Sequence, residues 1–433
     1  MSTPITLAVG DIDLTYNTGH MGIDHGMLFQ ECDRRRRRHA SINYEYYEKH
    51  SRDISQSELC FCRTLGSMVS RLELLGHTLK SVEADYQIQI ALDSERFAYT
   101  EEGGPPPNRL TFQQFIDFIR TNAVCDLKND YVENYDAKYA EGYGRLASEP
   151  AVSLLPEGDV DRERGGYSER SHFFALIEFL HPYSILRILA ENPANLSLDV
   201  VWDYGNFVSA GWAQNEDFVP DARRSQTYLI ATEGTSDTRI LKRALTLLRP
   251  DIEDFFRFID IEERHPFSGT GSLSKFAEGL IKIDVHNRVV ILFDNDAEGV
   301  EAFEGLRRFN FPVNMRAMLL PDLEELRSFS ARGPSGVENV DINGRAAAIE
   351  CYLDLRLKDR PPPQVIWTNY KESLDIYHGA LEYKESYAKA FYQATSDAMT
   401  TGAYDCSKLI IVINSLYVQC IEMATLMLRC VRD

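Results

Sequence analysis

The stretches of sequence that decide the fold are Tyr228-Leu-Ile-Ala-Thr-Glu-Gly-Thr-Ser-Asp237 and Val289-Val-Ile-Leu-Phe-Asp-Asn-Asp296. In each, an apolar run typical of a buried strand is followed at once by carboxylates. The carboxyl ends of parallel strands meet at one edge of a sheet, where open α/β folds bind ligands. Glu233, Asp237, Asp294 and Asp296 would repel one another there unless cations lie among them. Oxygen-rich sites of this kind select Mg²⁺ or Mn²⁺, which indicates metal-assisted phosphoryl chemistry.

The composition limits the classes of function. The chain has 433 residues, of which 46 are basic and 66 acidic, and its net charge of −20 argues against a broad nucleic-acid-binding surface. Its eight cysteines lack metal-site or disulfide spacing and are expected to be reduced. The N-terminus lacks the order of a signal peptide, and polar residues interrupt the apolar stretches 409–415 and 420–428. We therefore expect a cytoplasmic protein without a membrane span.

The order of strand and helix signals divides the chain into three predicted domains. Residues 1–222 are predicted to be mainly helical, with one or two initial β segments and a short strand at Leu198–Trp202. Residues 223–330 alternate between strands and helices, which predicts a Rossmann-like α/β domain with a parallel sheet. Residues 331–433 are predicted to be a loop followed by helices, the first at Ala346–Leu357. One apolar stripe of helical spacing predicts a single helix in the first domain, and its residues are Met68, Leu72, Leu75, Leu79, Val82 and Tyr86.

The two acidic stretches resemble the paired signatures of the Toprim domain, which is the catalytic domain of topoisomerases, bacterial primases, small maturation ribonucleases and OLD-family nucleases. The resemblance covers roughly residues 225–325. It implies that Glu233, Asp294 and Asp296 hold a Mg²⁺ or Mn²⁺ ion. The spacing between Glu233 and Asp237 is similar to that of OLD-type nucleases, which implies that Asp237 binds a second ion.

The resemblance to OLD-type sites also implies one further carboxylate and one lysine. Asp322, which follows the strand ending at Leu320, and Glu350 are the two candidates for the further metal ligand. A solvated surface acid is the alternative interpretation of each. Lys384 is the candidate for balancing the charge that develops during the reaction, and an exposed helical lysine is its alternative interpretation.

The N-terminal part resembles the HEPN/Toprim N-terminal domain that precedes bacterial Toprim modules. This resemblance covers roughly residues 1–220 and is carried by Met27–Asp33, Arg71–Gly76 and Ile185–Asn192. HEPN ribonucleases cleave RNA with an arginine and histidine on one helix, a spacing met by Arg71 with His77 and by Arg34 with His39. The other role implied for this domain is formation of a homo-oligomer or binding of a partner protein.

The two resemblances together imply a Toprim domain preceded by a HEPN-like domain. The expected function is hydrolysis of nucleic acid, DNA in preference to RNA, by a divalent-metal-dependent nuclease, with bacterial antiphage defence as the implied setting. Two alternatives remain open. One is a HEPN-type ribonuclease that needs no metal, and the other is a non-catalytic assembly protein whose carboxylates hold a structural ion.

Overall fold

The computed structural model of the protein describes residues 5–10, 12–17, 23–38, 42, 44–50, 54–98, 108–130, 143–157, 168–259, 269–283, 285–334, 336–357, 360–372 and 374–432. The chain divides into two compact units. The first contains Met1–Ala222 together with Val431–Asp433, and the second contains Arg223–Cys430.

The first unit contains a five-stranded antiparallel sheet. Its strands are β1 (Ile5–Val9), β2 (Ile12–Asn17), β3 (Arg34–Arg36), β4 (Leu59–Thr64) and β5 (Asp199–Asp203), in the spatial order β2-β1-β5-β4-β3. The predicted initial β segments and the strand near residue 200 are confirmed. The prediction of a mainly helical domain is incomplete, because the sequence gives no strand signal at β3, which consists of three arginines, or at β4.

The helices of the first unit that the structure describes are short apart from one. They are α1 (Tyr44–Lys49), α2 (Leu65–Leu74), α3 (Leu79–Ala98), α4 (Phe112–Thr121), α5 (Glu169–Ala175), α6 (Pro182–Leu189) and α7 (Gly205–Ser209). The prediction of one helix through residues 68–86 is wrong, since α2 ends before Gly76, whose φ of +99° suits glycine. The apolar stripe is nevertheless on the inner side, because five of its six residues are buried.

The second unit begins with a parallel α/β sheet. Strands β6 (Tyr228–Ala231), β7 (Phe256–Phe258) and β8 (Arg288–Phe293) alternate with helices α8 (Thr235–Leu248) and α9 (Thr270–Lys282). After β8 come the short strand β9 (Asn295–Asp296), helix α10 (Ala297–Leu306) and strand β10 (Met315–Leu319). Strands β6, β7, β8 and β10 form one sheet in the order β10-β8-β6-β7, and every neighbouring pair is parallel, which confirms the predicted parallel sheet.

An apolar core packs one face of this sheet against helices α9 and α10. The buried members of the core are Ala231, Leu273, Ala277, Val289, Ile291, Phe293, Leu306 and Met315. They come from β6, β8, β10 and from helices α9 and α10. Strands buried on both faces have near-continuous apolar sequences, which explains why β6 and β8 are evident in the sequence.

The remainder of the second unit contains more sheet than the sequence indicates. Strands β11 (Phe329–Gly333), β12 (Gly336–Val340), β14 (Val365–Lys371) and β15 (Ile376–Leu381) form a second sheet in the order β12-β11-β14-β15. The predicted loop is therefore wrong here. The predicted helix at Ala346–Leu357 is also wrong: strand β13 (Ala346–Ala347) pairs with β9, and a 3₁₀ turn occupies Ile349–Tyr352. Helices α11 (Lys384–Gln393), α12 (Ser396–Thr400) and α13 (Ser407–Arg432) complete the unit.

Helix α13 is, within the described part of the chain, the one helix long and apolar enough to cross a membrane. Its segment Ser407–Cys430 has a mean hydropathy of 1.7. One side of it is a buried stripe formed by Leu409, Val412, Leu416, Cys420 and Met423. The hydroxyl of Tyr228 donates to the carbonyl oxygen of Cys420 at 3.0 Å, while Asn414 and Glu422 are exposed. This one-sided burial is typical of a helix that packs on a protein core.

Candidate functional site

Two acids lie side by side where β6 and β8 end. These strands are neighbours in parallel register, with Ala231 opposite Ile291, so the residues that follow them emerge at the same sheet edge. The backbone N–H of Asp294 donates to Oε1 of Glu233 at 3.0 Å. Thr270, the first residue of α9, donates its hydroxyl to Oε2 of Glu233 at 2.5 Å. The Glu233 carboxylate is thereby held at the carboxyl end of the sheet.

Asp237 lies in the first turn of α8, four residues after Glu233. Its Oδ2 accepts a hydrogen bond from the backbone N–H of Gly234 at 2.9 Å. A carboxylate in this position satisfies an amide at the helix start and interacts favourably with the helix dipole. The turn between Glu233 and the helix therefore brings the second acid of this stretch back toward the sheet edge.

Asp296 is the N-cap of helix α10. Its Oδ1 accepts hydrogen bonds from the backbone N–H groups of Glu298 and Gly299 at 2.9 and 2.8 Å. Gly299 is required here, because a Cβ at this position would lie 2.1 Å from the carbonyl oxygen of Asp294 and 3.1 Å from Oε1 of Glu233. The helix α10 consequently begins in direct contact with the acids that follow β6 and β8.

Glu350 reaches the same place from the 3₁₀ turn Ile349–Tyr352. Pairing of β13 with β9 brings this turn to the end of β8, and the backbone N–H of Ile349 donates to Oδ1 of Asp294 at 3.0 Å. The hydroxyl of Ser236, in the first turn of α8, donates to Oε1 of Glu350 at 2.8 Å. Glu350 is only 5% exposed, so its carboxylate belongs to the interior of this site. We call Glu233, Asp237, Asp294, Asp296 and Glu350 the carboxylate cluster.

The electrostatics of the carboxylate cluster are dominated by burial and by repulsion between the carboxylates. Burial, followed by the charges of Asp237, Glu233, Asp296 and Glu350, raises the pKa of Asp294 well above its ordinary value. Burial is also the largest cause that raises the pKa of Glu233 and of Asp237, each to about 7. Carboxylates in such mutual contact bind a proton or a cation in preference to remaining charged.

The chemistry of these groups fits a hard divalent ion. Every donor in the cluster is a carboxylate oxygen, the ligand type that Mg²⁺ and Mn²⁺ prefer. As placed, both oxygens of Glu233 accept hydrogen bonds from the protein. Within the described residues no three His, Cys, Asp or Glu side chains form a ready metal cage. Binding of an ion at the cluster would therefore require some of these side chains to move.

The other two predicted site residues differ in their placement. Lys384 is the exposed first residue of α11, and its charge acts on Asp237, whose pKa it lowers. Asp322 is exposed, and its Oδ1 accepts a hydrogen bond from the side-chain amide of Asn295 at 2.7 Å. Asp322 is not among the charges that raise the pKa of Asp294. The structure thus brings Glu350 and Lys384 to the cluster but leaves Asp322 outside it.

A histidine that the sequence does not point to also approaches the cluster. His378, on β15, has its Nδ1 4.0 Å from Oδ2 of Asp296, and its charge when protonated lowers the pKa of that carboxyl. The Nδ1 is buried and has no hydrogen-bond partner among the described residues. No motif surrounds His378, because a strand more than 80 residues downstream delivers it, so the sequence carried no signal for it.

The arginine and histidine pairs considered for metal-free RNA cleavage have structural roles in the described residues. Arg71 is fully buried in α2 and donates to the carbonyl oxygens of Met27 and Phe29. His77 is buried and bonded to the hydroxyl of Ser184 at 3.0 Å. A guanidinium enclosed by backbone carbonyls does not face a substrate phosphate, so the geometry offers no support for the pair Arg71 and His77.

The second pair rests on the basic run that contains β3. Arg34 donates to the hydroxyl of Tyr204 at 2.6 Å and to the side-chain oxygen of Asn215 at 2.8 Å. Its guanidinium also lies 4.4 Å from the centroid of the Phe61 ring. These contacts give Arg34 a packing role, and His39 lies outside the described residues.

Comparison with known proteins gives a match for the first unit. No curated protein and no solved structure shows significant similarity to the chain. The model of the family described as "HEPN/Toprim N-terminal domain 1" matches residues 1–226, more than half of the 433-residue chain. The chain therefore belongs to the HEPN/Toprim N-terminal domain 1 family and has an architecture of the HEPN/Toprim type.

Proposed function

We propose that the protein is a divalent-metal-dependent nuclease that hydrolyses phosphodiester bonds at the carboxylate cluster. The observation that carries the proposal is the environment of Asp294, where four further carboxylates surround one acid at the carboxyl edge of a parallel sheet. Such a concentration of charge is costly to a folded protein unless a cation occupies it. The membership in a HEPN/Toprim family supports a nuclease-type function for such a centre.

Within this proposal the residues have separate tasks. Glu233, Asp294 and Asp296 would hold one Mg²⁺ or Mn²⁺ ion, while Asp237 and Glu350 would hold a second. The bound ions would supply positive charge to the phosphoryl group as its bonds rearrange. The hydrogen bonds from Thr270 and from the N–H groups that follow β8 fix the carboxylates before substrate arrives.

Lys384 is the cationic side chain of the proposed site. It is exposed, and its charge acts on Asp237 at the entrance of the cluster. An ammonium group in that position would offset the negative charge that grows on the phosphoryl oxygens in the transition state. Lys384 is thus the one cationic side chain that we assign to the reaction itself.

The substrate we propose is nucleic acid, DNA in preference to RNA, within bacterial antiphage defence as the setting. A net charge of −20 means that a polyanion would be held locally, by metal ions and a few nearby cations. The first unit is proposed to mediate self-association or binding of a partner protein. Light scattering on the full chain during size-exclusion chromatography tests that part, and a monomer at all concentrations would contradict self-association.

The central test is a cleavage assay with plasmid DNA, single-stranded DNA and RNA in Mg²⁺, in Mn²⁺ and in EDTA. We expect cleavage with metal, no cleavage in EDTA, and a loss of about a hundredfold or more in Glu233→Gln and Asp294→Asn, because metal-stabilised charge is worth several kcal/mol. The matched control is Glu304→Gln, an exposed glutamate in α10, which should retain full activity.

Two outcomes would contradict the proposal. Cleavage of RNA that persists in EDTA and in Glu233→Gln would identify a metal-independent ribonuclease. No cleavage of any substrate with either metal would identify a non-catalytic assembly protein, whose carboxylates hold a structural ion. In that second case the ions should still raise the melting temperature of the wild type, and Glu233→Gln should reduce that shift.

A further inference from the structure

A cleft between helices α8 and α11 opens directly beside the carboxylate cluster. Its volume is about 350 Å³, and its polar and charged lining residues are Ser236, Arg239, Glu350, Lys384, Glu385, Lys389 and Tyr392. Glu350 belongs to both places, since it lines the cleft and also raises the pKa of Asp294. A ligand in this cleft would therefore lie next to a phosphodiester bond bound at the carboxylate cluster.

Two cations of the cleft, Arg239 on α8 and Lys389 on α11, differ in their contacts from Arg243. Arg243, one turn after Arg239, donates to the carbonyl oxygens of Phe391 and Ala394 and so fixes the end of α11 against α8. Arg239 and Lys389 are exposed and form no salt bridge or side-chain hydrogen bond with any residue that the structure describes. In a chain of net charge −20, two such cations facing one cleft are available for an anion.

The wall of the cleft also offers an aromatic ring. Tyr392 is 36% exposed and its ring centroid lies 6.0 Å from that of Phe391, which supports it from within the unit. Burial raises the pKa of Tyr392, with Arg239 acting in the opposite direction and Glu350 adding to the rise, so the phenol group is near both the cation and the cluster. A supported and partly exposed ring of this kind is a platform on which a nucleic-acid base can stack.

We propose that this cleft binds the nucleotide adjacent to the phosphodiester bond at the carboxylate cluster, and that this nucleotide is unpaired. Its phosphate contacts Arg239 and Lys389, and its base stacks on Tyr392. A base in a duplex is already stacked on both sides, so the ring selects single-stranded or locally opened nucleic acid. This inference rests on the proposed nuclease function and adds its substrate class: a single strand or a frayed end.

The test measures binding of a fluorescein-labelled single-stranded oligonucleotide by anisotropy over a series of salt concentrations. The full-length protein carries Glu233→Gln throughout, so that no substrate is consumed. We expect Arg239→Gln with Lys389→Gln to reduce the slope of log K against log salt by about 0.7, since both cations contact the same phosphate and each neutralised single-strand phosphate contributes about 0.7. The matched control Lys282→Gln, exposed at the end of α9, should leave the slope unchanged.

The aromatic contribution is tested in the same assay. Tyr392→Leu should weaken single-strand binding at least about fivefold, while Tyr392→Phe, which keeps the ring, should bind as the parent does. A duplex of the same sequence should bind more weakly than the single strand and should not respond to Tyr392→Leu.

The inference fails if the cleft variants retain the affinity and the salt slope of the parent, or if duplex and single strand bind equally. That failure differs from a failure of the proposed nuclease function. If wild-type protein cleaves nothing but the cleft variants lose single-strand binding, the cleft stands as a strand-binding site and only the hydrolysis is refuted. If wild-type protein cleaves and Glu233→Gln does not, but the cleft variants bind normally, only the cleft assignment is refuted.

Discussion

Glu233→Gln should make the metal-free protein more stable at alkaline pH. Glu233 is half-buried, and its environment raises the pKa of its carboxyl from 4.5 to about 7. The folded state therefore binds a proton more tightly than the unfolded state does. Between these two values stability must fall as the pH rises, because folding then requires either uptake of a proton or burial of a charge. Glutamine does not ionise, so the variant does not lose stability in this way as the pH rises.

The size of the effect follows from the same rise in pKa. A rise from 4.5 to about 7 corresponds to about 3 kcal/mol of destabilisation above pH 7, at about 1.36 kcal/mol for each pH unit. Glutamine can still accept from the backbone N–H of Asp294 but changes the bond with Thr270, a loss of about 1 kcal/mol. The variant should thus gain about 2 kcal/mol at pH 8.5 and little or nothing at pH 5.5.

The assay is thermal unfolding in EDTA at both pH values, with Glu304→Gln as the surface control. Addition of Mg²⁺ should reverse the order at pH 8.5, because a ligand at a hundred times its dissociation constant stabilises the wild type by about 2.7 kcal/mol. A variant that is less stable than wild type in EDTA at pH 8.5 would refute the reasoning, and so would a difference that is the same at pH 5.5.

Three further substitutions test how the elements are held. Gly299→Ala should destabilise the second unit by about 2 kcal/mol or more, since its Cβ would overlap the carbonyl of Asp294, whereas the control Gly305→Ala in the same helix should be neutral or stabilising. Tyr228→Phe should cost about 1–3 kcal/mol in a denaturant titration, because it removes the buried hydroxyl that donates to the carbonyl of Cys420 and accepts from Arg288. Arg71→Leu should lower the melting temperature of the first unit and leave metal-dependent cleavage unchanged. If Arg71 had a catalytic role instead, cleavage would be lost while the melting temperature stayed the same.

The sequence predicted the parallel sheet because its strands are buried on both faces. Strand β6 occupies Tyr228–Ala231, which matches the predicted apolar run. Strand β8 begins at Arg288, one residue before the apolar run predicted for it. Strand β12 shows why the second sheet was missed: four of its five residues are exposed, so Gly336–Val340 carries no apolar alternation. Edge strands with both faces in water have no periodic signal, and only pairing with a neighbour defines them.

The choice between Asp322 and Glu350 shows a second limit. Both were equally acceptable on sequence grounds, since each follows or precedes a plausible element at the same sheet edge. The structure separates them through Asn295, whose side-chain amide binds Asp322 while its backbone pairs β9 with β13 and so delivers Glu350. A long-range pairing between residues 295 and 347 brings Glu350 to the cluster, and no local pattern encodes such a pairing.

The net charge of −20 excludes less than it first suggests. At physiological ionic strength a charge is screened over about 8 Å, so a phosphate inside the cleft responds to its immediate neighbours more than to the whole chain. Those neighbours are the cations Arg239, Lys389 and Lys384 together with the acids Glu350 and Glu385. Once metal ions neutralise the carboxylate cluster, the local charge there becomes favourable to a phosphodiester. In EDTA the acids repel a polyanion, whereas the bound metal ions would attract it. Strand binding and metal binding should therefore depend on each other.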